Sequence, residues 1–147
     1  IDSTNTGSDN VTRNTTCNGQ YVVNAVAGKE FPIGKSGRYT ATIDWKMTLA
    51  GGRYIIPIDL EASIAQGREV LQNELAFSEQ LSDYFRTDLK VGFRMNRQKF
   101  TQEFSVDIQN LTDRANVFSR SFNPSRGTIS IENQLGLFVV PQYRILF

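Results

Sequence analysis

The sequence has 147 residues, enough for one domain of ordinary size, and 39% of them are hydrophobic. Sixteen basic and fifteen acidic residues leave a formal charge of +1, which favours neither a nucleic-acid-binding surface nor an acidic tail. Histidine is absent, which removes the commonest metal ligand and the commonest general base, and the single cysteine, Cys17, allows no internal disulfide. No apolar run is long enough to predict a transmembrane helix.

The first part of the sequence predicts a loop followed by a strand. Residues 1–19 are mostly Asn, Thr, Ser, Gly and Asp, which predicts a loop. The polar opening is not a signal peptide, so we expect a removed signal or a piece of a longer chain. A strand is predicted near 20–33, with an alternation too imperfect to assign its faces. The turn 34–37 contains Gly-Lys-Ser, but it lacks the first glycine and the strand-then-helix context of a phosphate-binding loop.

Four further segments predict strands because their side chains alternate with a period of two residues. The clearest is 38–50, where six apolar residues from Tyr39 to Leu49 alternate with six polar ones. The others lie near 83–96, 99–111 and 138–147. Twelve residues are more than the usual strand of about five or six and suffice for a tilted strand to cross a bilayer.

The connections between these five strands differ in length in a regular order. The turns at 34–37 and 96–99 are short, whereas 51–81 and 112–137 are long and irregular, the latter with a possible small hairpin at 128–133. Short turns on the periplasmic side and long loops outside are typical of outer-membrane barrels. We therefore expect an all-β, antiparallel transmembrane barrel segment whose residues 1–19 end an extracellular loop. Five strands are an odd number, so we expect the chain to be the C-terminal part of something larger.

Seven stretches of the sequence together resemble one known family. They are NGQY at 18–21, AGKEF at 27–31, YFRTDLK at 84–90, DIQNLTDR at 107–114, NVF at 116–118, QLGLF at 134–138 and YRILF at 143–147. These stretches resemble the end of a TonB-dependent outer-membrane receptor, and the chain looks like receptors of Bacteroidetes-type bacteria that carry a carboxypeptidase-regulatory-like domain. The most specific parts are the Asn-Leu-Thr-Asp step at 110–113 and the terminal aromatic residue.

The resemblance implies the last five or so strands of a barrel of about 22 strands in the bacterial outer membrane. Such a receptor imports a large scarce ligand, such as a metal chelate, a cobalamin-like cofactor or a glycan, with energy coupled through TonB. The implied partners are outer-membrane lipid, the remainder of the barrel and its plug, TonB through the missing N-terminal part, and the barrel-assembly machinery. Tyr143, Ile145 and Phe147 would be the signal that this machinery reads, although plain lipid-facing packing explains them equally well.

No constellation of residues predicts catalysis, a cofactor site or a metal site, so we do not expect an enzyme. Asp88 and Asp107 lie on polar strand faces beside Arg and Lys, which favours ion pairing over acid–base chemistry. Cys17 has no histidine to activate it. Four loop aromatics could contact a ligand or pack the loops together, and packing is favoured: Tyr54, Phe77, Phe118 and Phe122. Two other classes stay open, a soluble antiparallel β-sheet binding module and a non-transporting outer-membrane barrel or adhesin.

Overall fold

A computed structural model of the protein describes residues 4–7 and 10–147. The described part is all-β except for one short helix and one 3-10 turn, and its sheets are antiparallel. The prediction of an all-β, antiparallel fold is therefore confirmed. In chain order the elements are β1 (Thr4–Thr6), β2 (Thr12–Asn14), β3 (Val22–Ile33), β4 (Tyr39–Ala50), β5 (Tyr54–Ile55), α1 (Leu60–Gln66), the 3-10 turn (Asn73–Leu75), β6 (Glu79–Gln80), β7 (Tyr84–Asn96), β8 (Thr101–Gln109), β9 (Val117–Asn123), β10 (Thr128–Asn133) and β11 (Phe138–Leu146).

The chain divides into two compact units, which we call the sheet unit and the loop unit. The sheet unit comprises Val23–Thr48, Phe85–Arg114 and Leu135–Phe147. The loop unit comprises the described residues up to Val22, together with Leu49–Tyr84 and Ala115–Gln134. The five segments predicted as long strands correspond to β3, β4, β7, β8 and β11, with boundaries shifted by up to two residues.

The five long strands form one open sheet in the order β11-β8-β7-β4-β3. Each strand therefore lies beside the long strand that precedes or follows it along the chain, as in an antiparallel meander. Within the described residues the sheet does not close, and β3 and β11 form its two edges.

The loop unit contains regular structure in segments that the sequence predicted to be irregular. Among the described residues of 1–19, β1 pairs with β2, while residues 1–3 and 8–9 of that predicted loop lie outside the described part. The segment 51–81 holds α1 and the β5–β6 pair. The small hairpin expected at 128–133 is larger than predicted, because Thr128–Asn133 forms the single strand β10 and pairs with β9. These elements are mostly two to seven residues long, too short for hydrophobic periodicity to reveal them.

The helix α1 was not predicted from the sequence, and its caps explain why it forms. The side chain of Asp59 accepts a hydrogen bond from the backbone N–H of Ala62 at 2.9 Å. Gly67 ends the helix in the left-handed conformation with φ +64°, which glycine adopts without steric cost. Ser63 is fully buried, and its hydroxyl accepts from the N–H of Val70 at 3.0 Å. The two caps and the hydrogen bond of Ser63 therefore stabilise a helix of only seven residues.

Candidate functional site: the polar face of the five-stranded sheet

The sheet has one polar face, and strand register brings its charged residues into rows. Across β7 and β8, Lys90 lies opposite Asp107 and Arg94 opposite Glu103. Across β8 and β11, Glu103 lies opposite Arg144. Opposite charges therefore lie side by side on adjacent strands, where cross-strand pairs stabilise a sheet.

The strands β3 and β4 extend the same polar face. A side chain at Gly92 of β7 would collide with the hydroxyl of Thr42, which places Thr42 of β4 on this face. The hydroxyl of Thr48 donates to the side-chain oxygen of Asn24 at 3.0 Å. Asn24, and with it every second residue of β3, therefore shares the face of Thr42 and Thr48. The structure thus assigns the faces of β3, which the sequence alone left open.

Glu103 is the centre of a charged cluster on this face. Its Oε1 accepts from Arg94 Nε at 2.7 Å, and its Oε2 accepts from Arg144 Nε at 2.8 Å. Arg94 also reaches Glu30 of β3, with 3.5 Å between Nη1 and Oε1. The side chain of Glu103 is only 17% exposed. The carboxylate of Glu103 therefore links β8 to β7 and β11, and the guanidinium of Arg94 extends the cluster to β3.

A second polar cluster lies towards the other end of β7. Arg86 Nε donates to Asp88 Oδ1 at 2.7 Å, and Arg86 Nη2 donates to Gln109 Oε1 at 3.0 Å. Gln109 Nε2 donates to Asp107 Oδ2 at 3.0 Å. Asp88 also accepts the backbone N–H of Asn110 at 2.9 Å. The two carboxylates weighed above for acid–base chemistry, Asp88 and Asp107, are thus held by hydrogen bonds and ion pairing.

A cavity of about 660 Å³ lies over the polar face. Its lining includes both acidic and basic side chains, among them Glu30, Asp44, Lys90, Arg94 and Glu103. Within the described residues no group of three or more His, Cys, Asp or Glu side chains could hold a metal ion. The basic side chains of this lining can donate hydrogen bonds to water or to a polar solute, and the acidic side chains can accept them.

The opposite face of the sheet is apolar and lined with aromatic side chains. Register aligns Phe93 with Phe104 and Phe104 with Tyr143, and the ring of Tyr39 stacks on Phe93 with centroids 5.9 Å apart. Two residues further along the same strands, Val91 of β7 lies opposite Val106 of β8. These apolar side chains form a continuous surface across four strands.

This apolar face is not covered by any described part of the sheet unit. The buried hydrophobic residues of the described chain are Leu81 and Phe122, and both belong to the loop unit. Large apolar side chains on the face remain exposed: Tyr39, Ile43, Trp45, Val91, Phe93, Phe104, Val139, Tyr143 and Ile145. An exposed apolar surface of this extent is typical of a site that contacts a partner or a membrane.

Trp45 is the only tryptophan, and its indole is hydrogen-bonded within the apolar face. Indole Nε1 donates to Thr87 Oγ1 at 2.8 Å, and Thr87 in turn donates to the backbone carbonyl of Lys46 at 3.1 Å. Thr87 is buried. The indole N–H of Trp45 and the hydroxyl of Thr87 thus both have partners within the sheet.

The Asn-Leu-Thr-Asp step folds into a connection that links the end of β8 with the residues before β11. Asn110 is buried with φ +50°, and its Nδ2 donates to the carbonyls of Arg114 at 3.0 Å and Leu135 at 3.2 Å. Asp113 Oδ1 accepts from the N–H of Leu137 at 2.7 Å. The sequence analysis noted this step only for its resemblance to a family. The structure shows that Asn110 and Asp113 hold the backbone that leads into β11.

The residues expected to form a barrel-assembly signal, Tyr143, Ile145 and Phe147, lie in and directly after β11. Tyr143 and Ile145 lie on the apolar face of β11 and are 60% and 40% exposed. Phe147 follows the last residue of β11 and is 99% exposed. The first two share a face with Phe104, and the third has few intramolecular contacts.

The residues weighed in the loops have differing environments. Phe122 is buried, whereas Phe118 is exposed with the guanidinium of Arg53 5.8 Å from its ring centre. The hydroxyl of Tyr54 accepts a hydrogen bond from Gln20 at 3.1 Å, and Phe77 is partly buried with φ +58°. The thiol of Cys17 is free.

No helix in the described part of the chain is long and apolar enough to cross a membrane. Comparison with protein-family models, with curated proteins and with solved structures finds no match to this chain.

Proposed function

We propose that the chain is the C-terminal part of the β-barrel of a bacterial TonB-dependent outer-membrane receptor. The observation that carries the proposal is the contrast between the two faces of the five-stranded sheet. One face holds aromatic and aliphatic side chains that no described residue of the sheet unit covers, and the other holds paired charges. Lipid on the outside and water in the lumen would satisfy both faces of a barrel wall.

Strand length supports the same proposal. The five strands of the sheet have 12, 12, 13, 9 and 9 residues, and a tilted membrane-crossing strand needs about 9–11 residues. The satisfied indole of Trp45 supports it further, because a donor that faces hydrocarbon needs a partner within the protein.

The open edges of the sheet would continue into the remainder of the barrel. Lipid-exposed sheet edges do not occur within the hydrocarbon region of a membrane, so β3 and β11 would each pair with further strands of a barrel of about 22 strands. The loops around α1 and the β9–β10 hairpin would then lie outside the cell, and the two short turns in the periplasm.

The proposed activity is import of a large scarce ligand, such as a metal chelate, a cobalamin-like cofactor or a glycan, driven through TonB. In this proposal the plug and the TonB contact belong to other parts of the receptor. Tyr143, Ile145 and Phe147 would be read by the barrel-assembly machinery. The sheet would contribute lumen wall and lipid contact rather than catalysis.

The fluorescence of Trp45 tests which solvent meets the apolar face. The protein is placed in phosphatidylcholine vesicles with and without bromine on the acyl chains, and the Trp45→Phe variant is subtracted to isolate this indole. We expect the bromolipid to quench Trp45 strongly and aqueous iodide to quench it weakly. Quenching by iodide and not by bromolipid would contradict the membrane proposal and favour a soluble β-sheet binding module.

A further inference from the structure

The end of the sheet with the two short turns carries a cluster of cations, formed by Arg38, Arg97 and Lys99. Arg38 precedes β4, and Arg97 and Lys99 lie in the turn between β7 and β8. The three side chains line a cavity of about 510 Å³, and none of the described residues that line it is acidic. This cluster therefore presents positive charge without a neighbouring carboxylate.

The contrast with the other arginines of the sheet is sharp. Arg94 and Arg144 both pair with Glu103, and Arg94 also pairs with Glu30. Among the described residues, neither Arg38, Arg97 nor Lys99 forms a salt bridge. The three cations are exposed. An anion that reached this cavity would meet three charges that no residue of the described chain neutralises.

Backbone hydrogen bonds position the cluster. The N–H of Asn96 donates to the carbonyl of Arg38 at 2.7 Å, which ties the residue before β4 to the end of β7. The N–H of Arg97 donates to the carbonyl of Phe100 at 2.9 Å and closes the turn. The guanidinium of Arg97 lies 5.9 Å from the centre of the Phe100 ring. The backbone that carries the cations is therefore fixed by hydrogen bonds at a strand end and in a short turn.

Besides the three cations and the amides of Asn96 and Gln98, the cavity has an apolar part that adjoins the apolar face of the sheet. Its lining includes Tyr39, Met95 and Phe100. Tyr39 stacks on Phe93, which lies in the aromatic row described above. A ligand with an anionic head and a hydrocarbon tail would place the head on the cations and the tail along the apolar face.

We propose that this cavity binds the phosphate head group of an anionic phospholipid, and this inference rests on the proposed membrane location of the sheet. Guanidinium and ammonium groups are the protein's usual phosphate partners, and basic pockets at a membrane surface bind anionic lipid head groups. A soluble anion would use the cations but not the adjoining apolar surface. The chemistry of the cavity therefore favours the lipid source.

The test compares lipid retention by matched variants of the complete receptor chain. Each protein is reconstituted in phosphatidylcholine with a minor fraction of phosphatidylglycerol, and the lipid retained after transfer to detergent is measured by native mass spectrometry. The test variant is Arg38→Gln/Arg97→Gln/Lys99→Gln. The control, Lys46→Gln/Arg68→Gln/Arg126→Gln, removes the same charge from three exposed positions that do not line this cavity.

We expect the wild type and the control to retain phosphatidylglycerol selectively and the test variant to lose about fivefold in selectivity for each cation removed. Inorganic phosphate added as competitor should not displace the lipid. Equal retention by the test variant would overturn the inference, and so would displacement by inorganic phosphate, which would identify a free-anion site. Bromolipid quenching of Trp45, measured on the same proteins in separate vesicles that contain brominated phosphatidylcholine, reports membrane location independently, so the failure of this inference is distinguishable from the failure of the proposed function.

Discussion

At the scale of single residues, two valines on opposite faces of the sheet test the proposal that one face meets lipid and the other meets water. Val91 lies on the apolar face of β7 and is 45% exposed. Val26 lies on the polar face of β3, between Asn24 and Gly28, and is 75% exposed. Hydropathy does not distinguish these two side chains, but their faces do.

We predict that Val91→Arg destabilises the folded protein in membranes by about 2–4 kcal/mol, the cost of an arginine facing the middle of the bilayer. Val26→Arg should change the stability by less than about 1 kcal/mol, because its side chain would face water. Guanidinium-induced unfolding in phospholipid vesicles measures both. Equal, small effects of the two substitutions would indicate that water meets both faces.

Glu103 shows that the types of charged residue in a sheet do not reveal which of them are paired. One carboxylate accepts from Arg94 on one side and from Arg144 on the other. A row of alternating charges across strands is self-neutralising, whereas the cluster of Arg38, Arg97 and Lys99 is not. The same residue types thus form a structural network in one place and an anion-binding surface in another.

At the scale of elements, the connection after β8 depends on one buried side chain. Asn110 donates to the carbonyls of Arg114 and Leu135, and its Oδ1 accepts from the N–H of Arg114 at 3.2 Å. Its φ of +50° lies in the left-handed region, which asparagine and glycine tolerate best. The residue therefore contributes both hydrogen bonds and backbone conformation to the path from β8 to β11.

We predict that Asn110→Ala destabilises the protein by about 2–3 kcal/mol, because buried backbone groups lose partners and alanine is strained at positive φ. Asn110→Gly should be about 1 kcal/mol less destabilising, since it removes the hydrogen bonds without the strain. Urea or guanidinium unfolding of the two variants measures the difference. If both variants matched the wild type, the hydrogen bonds of Asn110 would be irrelevant to the connection.

At the scale of the whole molecule, the proposed barrel requires further strands beside the two edge strands β3 and β11. A denaturing gel of native membranes, with and without boiling, and peptide mapping of the bands measure this. We expect a polypeptide several times longer than 147 residues that contains these peptides and migrates anomalously when unboiled. A species of 147 residues that stays in solution without detergent would contradict the barrel proposal.

Much of the sheet could be predicted because its determinant is local. Alternation from Tyr39 to Leu49 requires only that successive side chains of a strand point to opposite faces. The composition of each face in β4, β7 and β8 therefore follows from the sequence before any partner strand is known. The antiparallel, all-β fold follows from the same pattern together with the short turns.

The loop unit could not be predicted in the same way. The helix α1 depends on the caps Asp59 and Gly67, and β5 and β6 have only two residues each. Such elements are stabilised by hydrogen bonds and contacts with distant segments, as when Glu69 accepts the N–H of Phe122 at 2.9 Å. A local pattern does not contain that information.

The sequence by itself thus determined which residues share a face of each clearly alternating strand, because that property has a period of two residues. Only the tertiary structure decided which strands are neighbours and in what register. Register brings Glu103 between Arg94 and Arg144, and it leaves Arg38, Arg97 and Lys99 together without a carboxylate. The physical reason is that charge pairing depends on distances of a few ångströms between residues far apart in the chain.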